Sequence, residues 1–220
     1  MIVNFKDIQL MLEEGEGFEL EFKRKVTTSQ KIAKTMIAFA NTRGGIILFG
    51  IDDDKSVVGI ESEKEDTERL ETAATYFCDP PLQPIIEVVP YKGKDVLVVR
   101  IEESAQKPHA LFVDGDEEKK TGTNVYIRVN DKTVEASKEV VKILEAESPD
   151  AQPLRIAIGD AERRLFEYLD EHERITVKEF SNLLNISHRR ASRSLVQLVR
   201  AGLVRLHTNE KEDYYTRAFG

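Results

Sequence analysis

With a single cysteine, Cys78, in 220 residues, the chain has no intramolecular disulfide and no Cys-rich zinc site. Cys78 therefore reads as a small buried apolar residue. Nowhere do about 18 apolar residues run together, so no segment reads as a membrane span. The opening stretch, MIVNFKDIQLMLEE, lacks a basic region followed by an apolar core and does not read as a secretory signal. These absences lead us to expect a cytoplasmic protein that does not engage a membrane. A hydrophobic content of 40% beside a charged content of 33% is that of an ordinary globular chain.

A large positive charge is also missing. The net charge is -8, which taken alone argues against a polyanionic partner. The charge is unevenly spread, however. Residues 1–154 hold 20 Lys/Arg against 30 Asp/Glu, whereas residues 155–220 hold 12 against 10. Phosphate affinity follows local clustering more than the total, so a nucleic-acid partner stays open for the C-terminal part.

Hydrophobic periodicity divides the chain. Phe5, Ile8 and Leu12 have helical spacing, and Phe18, Leu20 and Phe22 alternate with polar residues as in a half-buried strand. Thr27-Thr28-Ser29-Gln30 has capping-box spacing and opens a helix, with Ile32, Ala33, Met36, Ile37 and Ala40 inward and Lys31, Lys34 and Thr35 on the other side. Ile46 to Ile51 is almost wholly apolar, as in a central strand buried on both faces. A helix over 63–78, strands near 85–91 and 95–102, a polar loop over 114–123, a strand over 125–129 and a closing helix over 137–145 follow. The segment EAESPDAQP, with two prolines and few large apolar residues, reads as a boundary. Beyond it, three helical patterns and two short strands, Leu203 to His207 and Tyr214 to Arg217, make a winged helix-turn-helix. The expected architecture is α+β: a mixed-sheet α/β domain over 1–147, a linker over 148–159 and a winged helix over 160–220.

In a helix-turn-helix the third helix enters the major groove. Burying Ala191, Leu195 and Leu198 turns Arg189, Arg190, Arg193 and Gln197 outward. Arg bonds guanine bidentately and Gln bonds adenine, so these side chains suit base reading. Ser187, a good N-cap, His188 and Ser192 are placed to reach phosphates. The opposing reading is a solvated helix face in a docking module, and the acidic wing tip Asn209 to Asp213 suits phosphate poorly. The stretch KEFSNLLNISHRRASRSLVQLVRAGLVRL resembles bacterial and archaeal winged-helix regulators.

An ordered set of motifs marks the N-terminal part: E-x4-E-F-K (Glu16, Glu21, Phe22, Lys23), AFANTRGG (Ala38 to Gly45), LFGIDDD (Leu48 to Asp54), VVG (Val57 to Gly59) and YIR (Tyr126 to Arg128). Over roughly residues 10–145 it resembles the Schlafen AlbA-like DNA-binding domain family. The resemblance implies a mixed α/β unit, often followed by a helix-turn-helix and often serving transcriptional regulation. It also raises ATP binding, which the residues do not support. Gly45 to Gly50 has the outer spacing of a P-loop, but Ile51-Asp52 stands where Lys and Ser/Thr would follow.

The family resemblance further implies two alternatives. Some animal Schlafen proteins are ribonucleases with an acidic triad, which maps onto Glu16, Glu21 and Asp52, with Asp53 the alternative for the last. Three such carboxylates would hold Mg2+ or Mn2+ for phosphodiester cleavage. The same residues also read as an exposed Glu21–Lys23 pair and ordinary turn chemistry over Asp52 to Asp54, and no histidine lies near to act as general base. Those Schlafen cores contain two related lobes where this chain has one, which implies a homodimer. The apolar strands at 46–51 and 96–101 point to the same need for a partner. The leading expectation is thus a dimeric DNA-binding transcriptional regulator that reads double-stranded DNA and requires no cofactor for binding. In it Lys23, Arg24, Lys25, Lys31 and Lys34 contact the nucleic-acid backbone. A metal-dependent nuclease is the alternative, and a protein-interaction adaptor the third reading.

Overall fold

The structure is a computed structural model describing residues 3–112, 124–149, 151, 154, 156 and 158–218. The chain forms two units, residues 1–136 and 137–220. The loop expected over 114–123 lies outside the described residues.

In the first unit the apolar run becomes β2 (Gly45–Phe49), an inner strand of a four-stranded sheet. Its neighbours are β1 (Leu20–Lys23), parallel to it, and β5 (Lys94–Ile101), antiparallel, with β4 (Ile85–Tyr91) beyond β5. Alternate residues take opposite faces, as the pleat requires. Ile47 and Phe49 pack with Leu97 and Val99 against α2 (Ser29–Ala40) and α3 (Glu63–Thr75). Leu48, Val96 and Val98 face the other way, toward Ile8 of α1 (Phe5–Glu14). The sheet is therefore covered on both sides within one chain. The apolarity of β2 and β5 is accounted for by these helices and gives no support for a partner subunit.

The turn from α2 into β2 depends on glycine. Gly44 has a φ of +75°, and a Cβ on Gly45 would lie 2.4 Å from the Phe39 ring. Just before it, the buried Asn41 side chain accepts from His109 N (2.7 Å) and donates to His109 O (2.8 Å) and Tyr126 O (3.0 Å). The AFANTRGG motif thus ties α2 to two distant segments. These are the short pair β3 (Cys78–Asp79) with β6 (Ala110–Leu111), and the hairpin of β7 (Tyr126–Val129) with β8 (Lys132–Glu135). Strands β3, β6 and β8 were not expected from the sequence.

Two details of α2 differ from expectation. Its N-cap is Thr28, which makes no side-chain capping bond, and Thr35 is buried along with the apolar face. The second helix ends at Thr75, earlier than position 78, with Tyr76 as its cap. Cys78 is buried as expected, and burial pushes its thiol up to about 12.

In the second unit, α5 (Asp160–Glu171), α6 (Val177–Leu184) and α7 (His188–Arg200) enclose Leu165, Leu169, Phe180, Ala191, Leu195 and Leu198. The wing, β9 (Val204–His207) and β10 (Tyr214–Arg217), is antiparallel, and Ile175 pairs with Tyr215 to add a bridge before α6. Thr176 and Glu179 form the capping box of α6, and Asn185 closes that helix at a φ of 52°. The helix expected to close the α/β domain, α4 (Lys138–Glu147), falls in this second unit, where it packs on α7.

Candidate nucleic-acid interface

The two sides of α7 have opposite chemistry. Ala191, Leu195 and Leu198 are buried, while His188, Arg189, Arg190, Arg193 and Gln197 are exposed. Ser187 is the N-cap, and its hydroxyl accepts from Arg190 N at 3.3 Å. No acidic residue occupies the first turn, where His188, Arg189 and Arg190 place cationic or ionisable groups at the positive end of the helix. Each cation so placed is unfavourable by roughly 0.3–1 kcal/mol in the isolated protein. Local rules are broken in this way at functional surfaces, where a ligand of opposite charge offsets the cost.

Ser192, expected to reach phosphates, does not. It is buried, donates to Glu139 Oε1 (2.6 Å) and accepts from Lys142 Nζ (3.0 Å), because α4 lies along that flank of α7. The sequence reading also missed two exposed arginines on the wing side, Arg205 on β9 and Arg174 before α6, the latter with its guanidinium 5.3 Å from the Tyr214 ring centre. The polar alternation of β9 carries the signal for Arg205. Of the acidic wing tip, Asp213 is held inside the unit by the Ser137 hydroxyl and by Asn209 N (3.2 Å).

In the first unit the expected basic residues are divided. Arg24 and Lys25, both exposed, line an open groove of about 980 Å3 with Thr28, Gly59 and Arg69. Asp66 also lines it, and burial raises its pKa despite the nearby Arg69. Arg24 is paired with Asp52. Lys23 points into a charge network, with its Nζ on Glu21 Oε1. Lys34 lies 5.1 Å from the Tyr126 ring centre, and Lys31 is exposed on α2.

The acidic residues are each engaged separately. Glu16 Oε1 accepts from Phe22 N (2.8 Å), so it caps a backbone donor of β1. Glu21 takes hydrogen bonds from both Lys23 and Arg128. Arg128 is fully buried, donates further to Gly17 O (2.8 Å) and Thr133 Oγ1 (3.1 Å), and lies 4.7 Å from the Phe39 ring centre. Asp52 takes Arg24 and also the backbone N–H of Asp53 (3.0 Å). Among the described residues no three His, Cys, Asp or Glu side chains are grouped to hold a metal ion. The expected carboxylates of Glu16, Glu21 and Asp52 are thus each held by a different donor of the protein, and neither they nor the Asp53 alternative are gathered around one Mg2+ or Mn2+ position among the described residues. Gly45 to Phe49, most of the P-loop-like spacing, runs as strand β2.

A mixed α/β unit followed by a winged helix defines the class of protein, and comparison with known families agrees. Residues 16–137 match the family model described as Schlafen, AlbA_2, and the chain belongs to that family. Residues 158–212 match the MarR family model. Two solved structures are similar in part. One is the N-terminal domain of an ATP-dependent DNA helicase RecG-related protein from Nitrosomonas europaea, at 24% identity and TM-score 0.44, covering 52% of this chain and 84% of that one. The other is the DIP2311 protein from Corynebacterium diphtheriae, at 17% identity and TM-score 0.45, covering 70% of this chain and 32% of that one. No curated protein matches the chain. Among the described residues no helix is long and apolar enough to cross a membrane.

Proposed function

We propose that the protein is a cytoplasmic DNA-binding transcriptional regulator that acts as a homodimer on double-stranded DNA. The observation that carries this reading is the two-sided chemistry of α7. Its buried apolar face fixes the helix in the winged fold, and Arg189, Arg190, Arg193 and Gln197 are exposed on the other side. Those residues read base edges in the major groove, and His188 and Ser187 contact the adjacent phosphates. The α/β unit adds sequence-independent contacts through Arg24, Lys25 and Lys31. Its net acidity keeps non-specific affinity low, so specificity rests on the winged helix.

The test is selection of duplex from a random-sequence pool by the full chain, followed by titration of the selected duplex against scrambled duplex. Preference of at least about 1,000-fold for the selected sequence is expected of a specific regulator. Equal binding to both would remove the sequence-reading role.

A further inference from the structure

Helix α4 falls between the two family matches, which end at 137 and resume at 158. Nevertheless it is built into the DNA-reading surface of the second unit. Glu139 and Lys142 both hydrogen-bond Ser192 on α7, and Val196 is buried on the same flank. Ser137, the N-cap of α4, donates to Asp213 of the wing. Ile143 joins Val199, Val204 and Leu206 around a cleft of about 540 Å3 at the junction of α7 with the wing. Toward the other end of α4, Lys142, Glu145 and Ala146 face Arg189, Arg193 and Gln197 across a groove of about 390 Å3.

The major groove is about 12 Å wide and a helix with its side chains about 10–12 Å across, so the groove admits one helix and not two side by side. A duplex approaching α7 and the wing together would meet α4 between them. It would also bring phosphates toward Glu139 and Glu145, carboxylates that repel them. We propose that α4 is an intramolecular competitor of DNA, and that engagement of α7 by a duplex requires α4 to leave the α7–wing surface. This inference rests on the DNA-binding reading given above.

The α4–α7 contact suits an exchangeable lock. Its hydrogen bonds run between Ser192 and two charged side chains, and water or a phosphate can replace each of them. Twelve residues, 148–159, separate α4 from α5 in the chain. A segment of that length spans up to about 40 Å when extended, enough for the helix to swing clear while staying tethered. The docked helix also shields Arg193 and Arg189 on one side, which lowers the affinity of the resting protein for arbitrary DNA.

Hydrogen–deuterium exchange of the full chain, with and without an excess of the duplex selected from the random-sequence pool, tests the proposal. The expected result has opposite signs: residues 188–200 become protected while residues 138–147 exchange faster. Protection of α7 with α4 unchanged or also protected would overturn the competitor and leave DNA binding intact. No protection of α7 would overturn the DNA-binding reading, and the competitor with it. A second measurement uses the double variant Ser137→Ala, Glu139→Ala, which loosens α4 without touching the exposed face of α7. If the undocked form is about a tenth of the population, its duplex affinity rises about tenfold. Unchanged affinity in the folded variant counts against the lock.

Discussion

Arg128 of β7 is buried completely against Glu21 of β1, 107 residues away in the chain. A guanidinium removed from water is tolerated only where acceptors surround it, and Glu21, Gly17 O and Thr133 provide them. The pair turns two motifs of the family, E-F-K and Y-I-R, into a single structural clamp. Its Nε has no hydrogen-bond partner among the described residues, which leaves Glu21 all the more necessary.

From this clamp a first prediction follows. Truncating one partner of a buried ion pair leaves the other uncompensated, at about 3–5 kcal/mol. Arg128→Ala should lower unfolding stability in urea by that order, and Glu21→Ala should fall in the same range. A loss below about 1 kcal/mol for both would mean that the network contributes no more than a surface pair.

A second prediction concerns metal. A bound ion stabilises the folded state by RT ln(1 + [L]/Kd), about 2.7 kcal/mol at a hundredfold excess over Kd. Because Glu16, Glu21 and Asp52 are each held by separate donors, thermal melts with EDTA or with millimolar Mg2+ or Mn2+ should coincide. A metal-dependent rise in Tm that Glu21→Gln removes would restore the nuclease alternative.

How much of this was readable beforehand depends on where the partners lie. The run Ile46 to Ile51 can be satisfied only by burial on both faces, and Ile47, Leu48 and Phe49 are all fully buried. The exposed arginines of α7 followed from helical period alone. The role of Glu21 did not, since it depends on Arg128, which only the tertiary fold brings near. Val140, Val141 and Leu144 form the buried face of α4, but a helical period identifies a face and not its partner. Chain order alone puts this helix with the α/β domain, and nothing local shows that it covers Ser192, whose helical position suits a phosphate contact. Strands β3 and β6 have two residues each, too few for any periodic signal.

A third prediction follows from His109. The ring is buried, with Nδ1 at 2.7 Å from Pro80 O and Nε2 at 2.7 Å from Ser104 Oγ. The carbonyl can only accept, so the neutral ring donates from Nδ1 and accepts the Ser104 hydroxyl at Nε2. Burial lowers its pKa below the ordinary 6.5, more than the Pro80 carbonyl and Asp79 raise it. The folded state thus favours the neutral ring. Its stabilisation is fully present above the unfolded pKa of 6.5 and is lost as pH falls through the lower folded value. Tm should drop as the pH falls from 6.5 toward the lower folded value, and His109→Asn should drop less over the same interval. Parallel pH profiles for the two proteins would show that other groups govern the loss.

A fourth prediction separates base reading from backbone contact. Arg189 and Arg193 lie one helical turn apart on the exposed face of α7, in reach of neighbouring base pairs. Replacing either by Ala should cost about 1–3 kcal/mol on the selected duplex and relax preference at one base pair. Lys25 and Lys31 belong to the α/β unit, to which the proposal gives backbone contacts only, so Lys25→Ala and Lys31→Ala should weaken all sequences evenly. Each lysine that touches a phosphate should also lower the slope of log affinity against log salt by about 1. Fluorescence anisotropy over a salt series, on selected and scrambled duplex, reads both quantities together. If the arginine and lysine variants lose affinity alike on both duplexes, α7 holds phosphates only, and the sequence-specific role assigned to it is wrong.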